Sequence, residues 1–484
     1  MTKQSADKRH LKTKEEYHEK LRSMRPNVYM NGEVVDRFDE RLVPAINVID
    51  MTYELTRDPK YEGLLTTRSH LDGAVINRFT HIHQSTDDLL RKQEMTRLYC
   101  QKVGGCIQRC MGIDAMNALS VVTHEVDQAS GTDYHARFLE YLRYFQKNDV
   151  AANCAQTDVK GDRSKRPHEQ VDPDLYLRVV EKRKDGIVVR GAKAHNTTAP
   201  YVEEIIVLPT RFLTPEESDW AVAFAIPADA PGVKQITRPS APRRREYLKT
   251  PGPFGSADSL TVFDDVFVPW ERVFLCGETM FGGRLAILFA TYHRHSYTGC
   301  KPAVSDIMMG LSALVAEYNG IAKASHVRDK LADLIAVAEL VYAAGIAASV
   351  KGKPSSSGTY MPEVVYANVG RYHAGVNIYH EFEILTDLAG GLSATLPLEG
   401  DFFNDETRGF LEKYIMRNPD ISAERQQRCF RLISDIVCSA HGGLGQVAGL
   451  HGGGSPIMEK IAVTGLYNIE EKKEIAKHLA GIED

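Results

Sequence analysis

A change of period along the chain constrains the fold more than any single motif does. Up to about residue 150, apolar residues recur at intervals of three and four, as in NVIDMTYELTRD, STDDLLRKQEMTRLYCQKVGGCIQRCMGIDAMNAL and DYHARFLEYLRYFQKNDV. That spacing turns one face of a helix toward a core. Thr86, Asp87 and Asp88 mark a helix start ahead of the second run. From residue 151 the texture is that of short strands, in LYLRVVEKRKDGIVVRGAKAH, EEIIVLPTRF, WAVAFAIPA and SLTVFDDVFVPWERVFL, with KDG and GPFGS as turn signals. Helical spacing returns in GRLAILFATYHRHSYTGCKPAVSDIMMGLSALVAEYNG and HVRDKLADLIAVAELVYAAGIAASV, rich in Ala and Leu as bundle helices are. The expectation is an α+β chain of three units: an N-terminal helical domain over 1–150, a middle β-barrel or sandwich over 151–285, and a C-terminal helical bundle over 286–484. A chain of 484 residues favours such a division, because a single core stops growing well before that length.

Composition narrows the function classes. Hydrophobic residues make up 43% and charged residues 25%, as in ordinary soluble globular proteins. Lys and Arg number 59 against 64 Asp and Glu, and a net charge of −5 carries no nucleic-acid footprint. The opening MTKQSADKRHLKTKEEYHEKL is charged and lacks the apolar core of a signal peptide. No run of 18 apolar residues appears, so no membrane span is expected. Eight scattered cysteines do not form a secreted disulfide framework, and a reducing cytoplasm is the expected compartment. Neither GxxxxGK nor a strand-linked GxGxxG occurs, so no P-loop or Rossmann site is expected. The glycines of DLAGGLSATLPLEGDF and SAHGGLGQVAGLHGGGSP allow close backbone approach to a ligand.

Metal-ligating residue types concentrate in two places. Cys106 and Cys110 stand in GGCIQRCMG, and residues four apart on a helix share a face, so both thiols can aim at one point. His293 and Cys300 stand seven apart in YHRHSYTGCKP, again on one helical face. Seven helical residues climb roughly 10 Å, a long reach for two ligands of one ion held by bonds of about 2.0–2.3 Å. An iron–sulfur cluster, or a break at Gly299, relaxes that reach. Three thiolates and one imidazole make an uncommon but chemically sound cluster site. Free cysteine is also among the most buried residue types, and the C-x3-C spacing alone does not separate a ligand pair from plain core.

In combination, HIHQSTDDLLRKQ, CIQRCMGIDA, TDVKGDRSKRP, VRGAKAHNT, VFDDVFVPWERVFLCGE, YHRHSYTGCK, AGGLSATLP and LHGGGSP, in that order from His81 to Pro456, resemble the 4-hydroxybutyryl-CoA dehydratases. These are relatives of the flavin-dependent 4-hydroxyphenylacetate hydroxylases. The layout is also similar to that of the acyl-CoA dehydrogenase-like flavoproteins, where a flavin lies between the β-domain and the C-terminal bundle, commonly in a tetramer. The resemblance implies FAD and a [4Fe–4S] cluster as cofactors, with Cys106, Cys110, His293 and Cys300 as cluster ligands. It implies catalytic positions at His293, Tyr297, Lys301 and Gln108. It implies flavin contacts from Gln156, Thr157, Asp158 and Lys160, from Thr197 in AHNT, and from Gly390 and Gly391 in AGGLSATLP. The implied partner is an acyl-CoA thioester, with no nucleic acid and no membrane, and the implied assembly is a homotetramer.

The implied chemistry explains the need for both cofactors. In 4-hydroxybutyryl-CoA the hydroxyl leaves C4, while the thioester acidifies only the C2 proton. Reversible removal of one electron by a flavin acidifies C3–H, and an iron of the cluster acts as a Lewis acid on the departing hydroxyl. Crotonyl-CoA results without net redox change, and vinylacetyl-CoA isomerisation goes with the same site. The chain departs from the family at two points. Where the family has a Glu shortly before the HGGGSP loop, Gln446, Val447, Ala448 and Gly449 offer no carboxylate, and the nearest one, Glu459, reads as a helix surface charge. Ahead of VFDDVF, Asp258 replaces a Glu as the expected acid/base. Three other readings stay open: a diverged member acting on another acyl-CoA or only isomerising, a flavin-dependent aromatic hydroxylase, and a non-catalytic assembly whose cysteines are core. Arg243, Arg244 and Arg245 read as a solvated loop rather than a seat for CoA phosphates, and His81 and His83 as polar residues lining the cleft.

Overall fold

The first 150 residues place the helices α1 Val43–Glu54, α2 Thr86–Val103, α3 Cys110–Ser130 and α4 Tyr134–Lys147. The structure is a computed structural model describing residues 8–247 and 254–482, so the first two residues of the GPFGS turn and both extreme termini lie outside the described residues. Helix α2 starts where the TDD signal predicts, capped by Ser85, whose hydroxyl accepts from the Asp88 amide at 3.2 Å. It ends at Gly104, left-handed at φ 71°, a conformation that costs glycine little. The expected single helix through both cysteines is therefore two helices, with Cys106 in the loop 104–109 between them.

Strands β1 Val28–Met30 and β2 Glu33–Val35 are contributed from this same region. The middle of the chain adds β3 Ala152–Ala155, β4 Arg178–Lys182, β5 Gly186–Thr197, β6 Glu204–Val207, β7 Val222–Pro227, β8 Val233–Ser240, β9 Ser256–Pro269 and β10 Val273–Cys276. They pair into a six-stranded sheet, β2-β1-β8-β9-β5-β4, and a four-stranded sheet, β10-β7-β6-β3. Among the described residues neither sheet closes on itself, so the arrangement is layered and open rather than a barrel. Strands β3, β6 and β10 are buried at every residue. The reason is that β5 packs on one side of the small sheet and α3 and α4 on the other. The β5–β9 register sets Thr197 directly opposite Asp258.

The C-terminal region is organised by the 40-residue helix α5 Thr279–Tyr318, which packs on α2, α3, α6 Ser325–Val350 and α7 Val364–Ala389. Helices α8 Ala423–Val437, α9 Ala440–His451 and α10 Pro456–Leu466 complete the site's surroundings. Helix α6 is long and apolar enough to cross a membrane by length and composition, and it packs against α2, α5 and α7.

Of the two ways to relax the reach from His293 to Cys300, a break at Gly299 is not the one taken, since α5 runs through both Gly299 and Pro302. Pro302 has no N–H for the Thr298 carbonyl, and Gln93 Nε2 fills that role at 3.2 Å while also reaching Tyr342 O at 2.8 Å. Gly299 is there for close approach, since a Cβ would stand 2.3 Å from the Gln93 carbonyl oxygen. Gly299→Ala is therefore expected to wedge α2 from α5 and cost about 1–3 kcal/mol of stability. A wild-type denaturation midpoint would show that this contact has slack.

Candidate active site

The loop 104–109 is held from below by Arg109, which is buried. Arg109 donates to Thr52 Oγ1 at 2.8 Å and to Asp149 O at 3.0 Å, pairs with Asp149 Oδ1 at 2.5 Å, and stacks 4.4 Å over the Tyr53 ring. Gln108, at φ 67°, donates Nε2 to Gly255 O at 3.0 Å and accepts the Tyr201 hydroxyl on Oε1 at 2.5 Å. Its side chain ties the loop to β9, and its backbone N–H donates to the Cys106 sulfur. In this setting the Cys106 thiol meets those of Cys110, at the start of α3, and Cys300, on α5. Cys106 is exposed to the cleft, whereas Cys110 and Cys300 are buried. Hydrogen bonds from Cys110 and Cys300 hold Cys106 well below the ordinary thiol value. Donation to Cys106, and then burial, push Cys110 up. Cys300 is pushed up by Cys100 and Cys106 together with burial, so Cys100, near the end of α2, is a fourth thiol at this point that no motif flags.

His293 stacks on Phe289 with ring centroids 5.5 Å apart and lies 2.9 Å through Nδ1 from Asp114 Oδ2. Asp114 is fully buried and also accepts from Lys92 Nζ at 2.5 Å and Ser296 Oγ at 3.0 Å. Burial alone would raise the Asp114 carboxyl, but Lys92 and His293 outweigh it and hold it below the ordinary value. As an acceptor, Asp114 makes Nδ1 the protonated nitrogen, which leaves Nε2 as the free lone pair. The ligand atoms of Cys110, Asp114 and His293 lie within 4.8 Å of one another. Because the Asp114 oxygens already serve Lys92, His293 and Ser296, the donors that remain are one imidazole nitrogen and the thiols of Cys106, Cys110 and Cys300, with Cys100 beside Cys300. Soft thiolates with imidazole suit an iron–sulfur cluster. The signal for Asp114 is its place four residues after Cys110, on the same face of α3.

Across the cleft, Thr197 Oγ1 donates to Asp258 Oδ1. Burial raises the half-buried Asp258 above the ordinary carboxyl value, with the Thr197 hydrogen bond pulling the other way. Asn153 Nδ2 donates to Thr197 O at 2.6 Å, while Asn153 Oδ1 and Thr198 Oγ1 are buried without partners among the described residues. Such orphaned polar atoms fit a polar heterocycle laid against this edge. Gln156 reaches α5 through Ala286 O at 3.2 Å. Thr157 accepts from the Ala194 amide at 2.8 Å, and the Lys160 carbonyl accepts the Tyr176 hydroxyl at 3.2 Å. Asp158 is committed to Lys193 at 2.8 Å and Thr210 Oγ1 at 2.6 Å.

The remaining candidates divide. Tyr297 lies edge-on to His293 at 6.4 Å, and its hydroxyl donates to Ala448 O at 2.6 Å. Lys301 is buried and pairs with Glu381 on α7, which also accepts from Ser305. Gly390 caps α7 near Asn319, whose side chain donates to Leu388 O at 3.1 Å. Asn319 follows Cys300 by 19 residues along α5, so at the helical rise Gly390 and Gly391 lie roughly 30 Å from that thiol. One chain does not bring them together. Glu459 is not a surface charge: it is fully buried, with Oε1 3.9 Å from both Arg294 Nε and Arg371 Nε. Burial raises its carboxyl to about 7 against the pull of both arginines. Arg243 and Arg244 are exposed, as a solvated loop requires, and Arg243 and Arg245 are also tied to α8 through Ser434 Oγ and Asp435 Oδ2 at 2.6 Å each. His81 and His83 are buried, with the His83 ring 6.0 Å from Tyr292.

Two family models cover the chain, 4-hydroxyphenylacetate 3-hydroxylase N terminal over residues 13–275 and its C terminal over 283–481. The sequence is 44% identical to the 4-hydroxybutyryl-CoA dehydratase/vinylacetyl-CoA-Delta-isomerase of Clostridium aminobutyricum, over 98% of this chain and 100% of that one. An oxygen-tolerant archaeal 4-hydroxybutyryl-CoA dehydratase from N. maritimus superimposes with a TM-score of 0.94 at 37% identity, covering 98% of this chain and 96% of that one. The oxygenase component of 4-hydroxyphenylacetate 3-monooxygenase complexed with FAD gives a TM-score of 0.88 at 26% identity, over 97% and 98%. A butyryl-CoA dehydrogenase from Megasphaera elsdenii reaches only 0.47 at 15% identity, too slight to support the acyl-CoA dehydrogenase layout.

Proposed function

Because this chain belongs to the 4-hydroxybutyryl-CoA dehydratase/vinylacetyl-CoA isomerase family, within the wider 4-hydroxyphenylacetate 3-hydroxylase group, we propose that it converts 4-hydroxybutyryl-CoA to crotonyl-CoA using FAD and a [4Fe–4S] cluster. The observation that carries the reading is the meeting of Cys106, Cys110 and Cys300 beside His293, from two segments of the chain nearly two hundred residues apart. Those three sulfurs and His293 Nε2 would hold the cluster, and Thr197, Asn153, Gln156 and Thr157 would face the flavin. When bound, the flavin would supply reversible one-electron transfer and the cluster iron a Lewis acid for the departing hydroxyl. The chain's own groups move the protons. Asp258, with its raised proton affinity, takes the C2 proton of the thioester, and the Thr197 hydroxyl orients the carboxylate for it. Asp114 holds the His293 ring in one tautomer, and Gly453 packs against that ring: a Cβ there would lie 3.2 Å from His293 Cδ2.

Protein purified without oxygen should carry about four irons, four sulfides and one flavin per chain, and should form crotonyl-CoA from 4-hydroxybutyryl-CoA. Flavin without iron, with oxygen consumed on a phenol, would move the chain to the hydroxylases. The absence of a carboxylate at residues 446–449 favours a second reading, in which only vinylacetyl-CoA is isomerised or another acyl-CoA is used; a panel of acyl-CoA substrates decides it. The distance of Gly390 and Gly391 from the thiols fits flavin contact with a neighbouring copy, as in a homotetramer. A pH prediction follows from Asp258. Its ordinary value is 3.8 and burial raises it, so the base form is lost on the acid side at a higher pH than for an unperturbed Asp. Asp258→Asn should remove that limb and lower kcat about 10²- to 10⁴-fold; a variant that keeps both would take Asp258 out of the reaction.

A further inference from the structure

Helices α5, α7 and α10 enclose a charged cluster that the proposed chemistry does not use. Glu459, in the first turn of α10, is fully buried, and neither of its oxygens has a hydrogen-bond partner among the described residues. It stands between two buried guanidinium groups, and both of these hold the glycine loop that precedes α10. Arg371 donates Nε to Gly452 O at 2.7 Å, and Arg294 donates Nε to Gly453 O at 2.9 Å. The loop is packed without room to spare on both sides. A Cβ at Gly453 would lie 3.2 Å from His293 Cδ2, one at Gly452 would lie 3.2 Å from the Tyr297 hydroxyl, and one at Gly454 would lie 2.5 Å from Arg294 Nη2. Arg371 also lies 4.3 Å over the Tyr297 ring.

We propose that Glu459 is a positioning residue: its negative charge holds Arg294 and Arg371 together, and through them seats residues 452–454 against His293 and Tyr297. One carboxylate between two enclosed guanidinium groups leaves a local excess of positive charge even when ionised. Without it the two arginines repel each other across a few ångströms of low-dielectric protein. The carbonyls of Gly452 and Gly453 then lose fixed donors, and the wall beside the His293 ring loosens. That this matters to turnover rests on the dehydratase reading, whereas the effect on the loop does not.

The test is Glu459→Gln at a pH above about 7, where the raised carboxyl is ionised; the substitution keeps the shape and removes the charge. Amide hydrogen exchange of the peptide spanning residues 452–455, read in metal-free and loaded protein alike, is expected to quicken about tenfold or more. In the loaded enzyme kcat should fall about tenfold with KM for the acyl-CoA little changed, the pattern of a displaced wall rather than lost binding. Glu459→Asp, which keeps the charge on a shorter arm, should stay closer to wild type than the Gln variant does. Loop exchange within twofold of wild type in the Gln variant, or in Arg371→Gln where that variant does not fold, would overturn the assignment, because each removes a link between Glu459 and the loop. Wild-type protein that fails to dehydrate 4-hydroxybutyryl-CoA while the exchange difference persists would instead sink the reading of function and leave the loop role standing.

Discussion

Cys106→Ala is expected to lose the cluster and, with it, dehydration by at least about 10³-fold, the scale of removing a group that acts directly on transition-state charge. The geometry makes this variant informative. Cys106 is the exposed thiol of the set and sits in a loop, so its removal opens no buried cavity. The loop is fixed independently by Arg109 on Asp149 and by Gln108 on Gly255 and Tyr201. Folding and flavin content should therefore stay at wild-type levels while iron and sulfide fall to below about one per chain. Cys300→Ala should give the same chemical result with some loss of stability, because Cys300 is buried in the packed interface of α5. The measurements are iron, sulfide and flavin per chain alongside turnover of 4-hydroxybutyryl-CoA. Full iron and near-normal turnover in Cys106→Ala would remove the cluster reading.

The second large effect is expected at Asp114. Asp114→Asn keeps the volume but leaves Lys92, only 1% exposed, without a counter-charge, at a cost of about 3–5 kcal/mol. It also presents an amide where His293 Nδ1–H found a carboxylate, so the ring can take the other tautomer and turn Nε2 into a donor. A further loss of about 10- to 100-fold in metal affinity or activity follows from that orientation effect. The two consequences separate in the double variant Lys92→Met with Asp114→Asn. Removing both charges should recover most of the stability and none of the metal affinity. Equal recovery of both would mean that Asp114 acts only as a counter-charge for Lys92. Urea midpoints and iron retention against a chelator read the two quantities.

The periodic parts of the structure are legible in the residues because they depend on neighbours close in the chain. The three- and four-residue spacing of the N- and C-terminal runs and the helix start at Thr86-Asp87-Asp88 are local matters, as is the strand texture from residue 151. The cysteine pair shows where locality misleads. C-x3-C suggests one helical face, yet Gly104 has already ended the helix and Gln108 takes a positive φ, so the thiols meet across a loop. A break at Gly299 stays open in the sequence because the partner that explains this glycine, the carbonyl of Gln93, lies about two hundred residues away. Glu459 reads as a surface charge because nothing in IMEKIAV reveals two arginines from other helices.

By itself, then, the sequence singled out Cys106, Cys110, His293 and Cys300 as candidate ligands and Asp258 as a candidate acid/base, and it marked most of the helical and strand segments around them. Only the tertiary structure decided how those residues are held and which charges surround them. It gave the His293 ring its tautomer through Asp114 and spent Lys301 on Glu381. It also added Cys100 to the thiols and enclosed Glu459 behind the glycine loop. The physical reason is range. Helix and strand periods act over a few residues, whereas the burial of a charge and the identity of its partner are settled only when distant segments exclude water together.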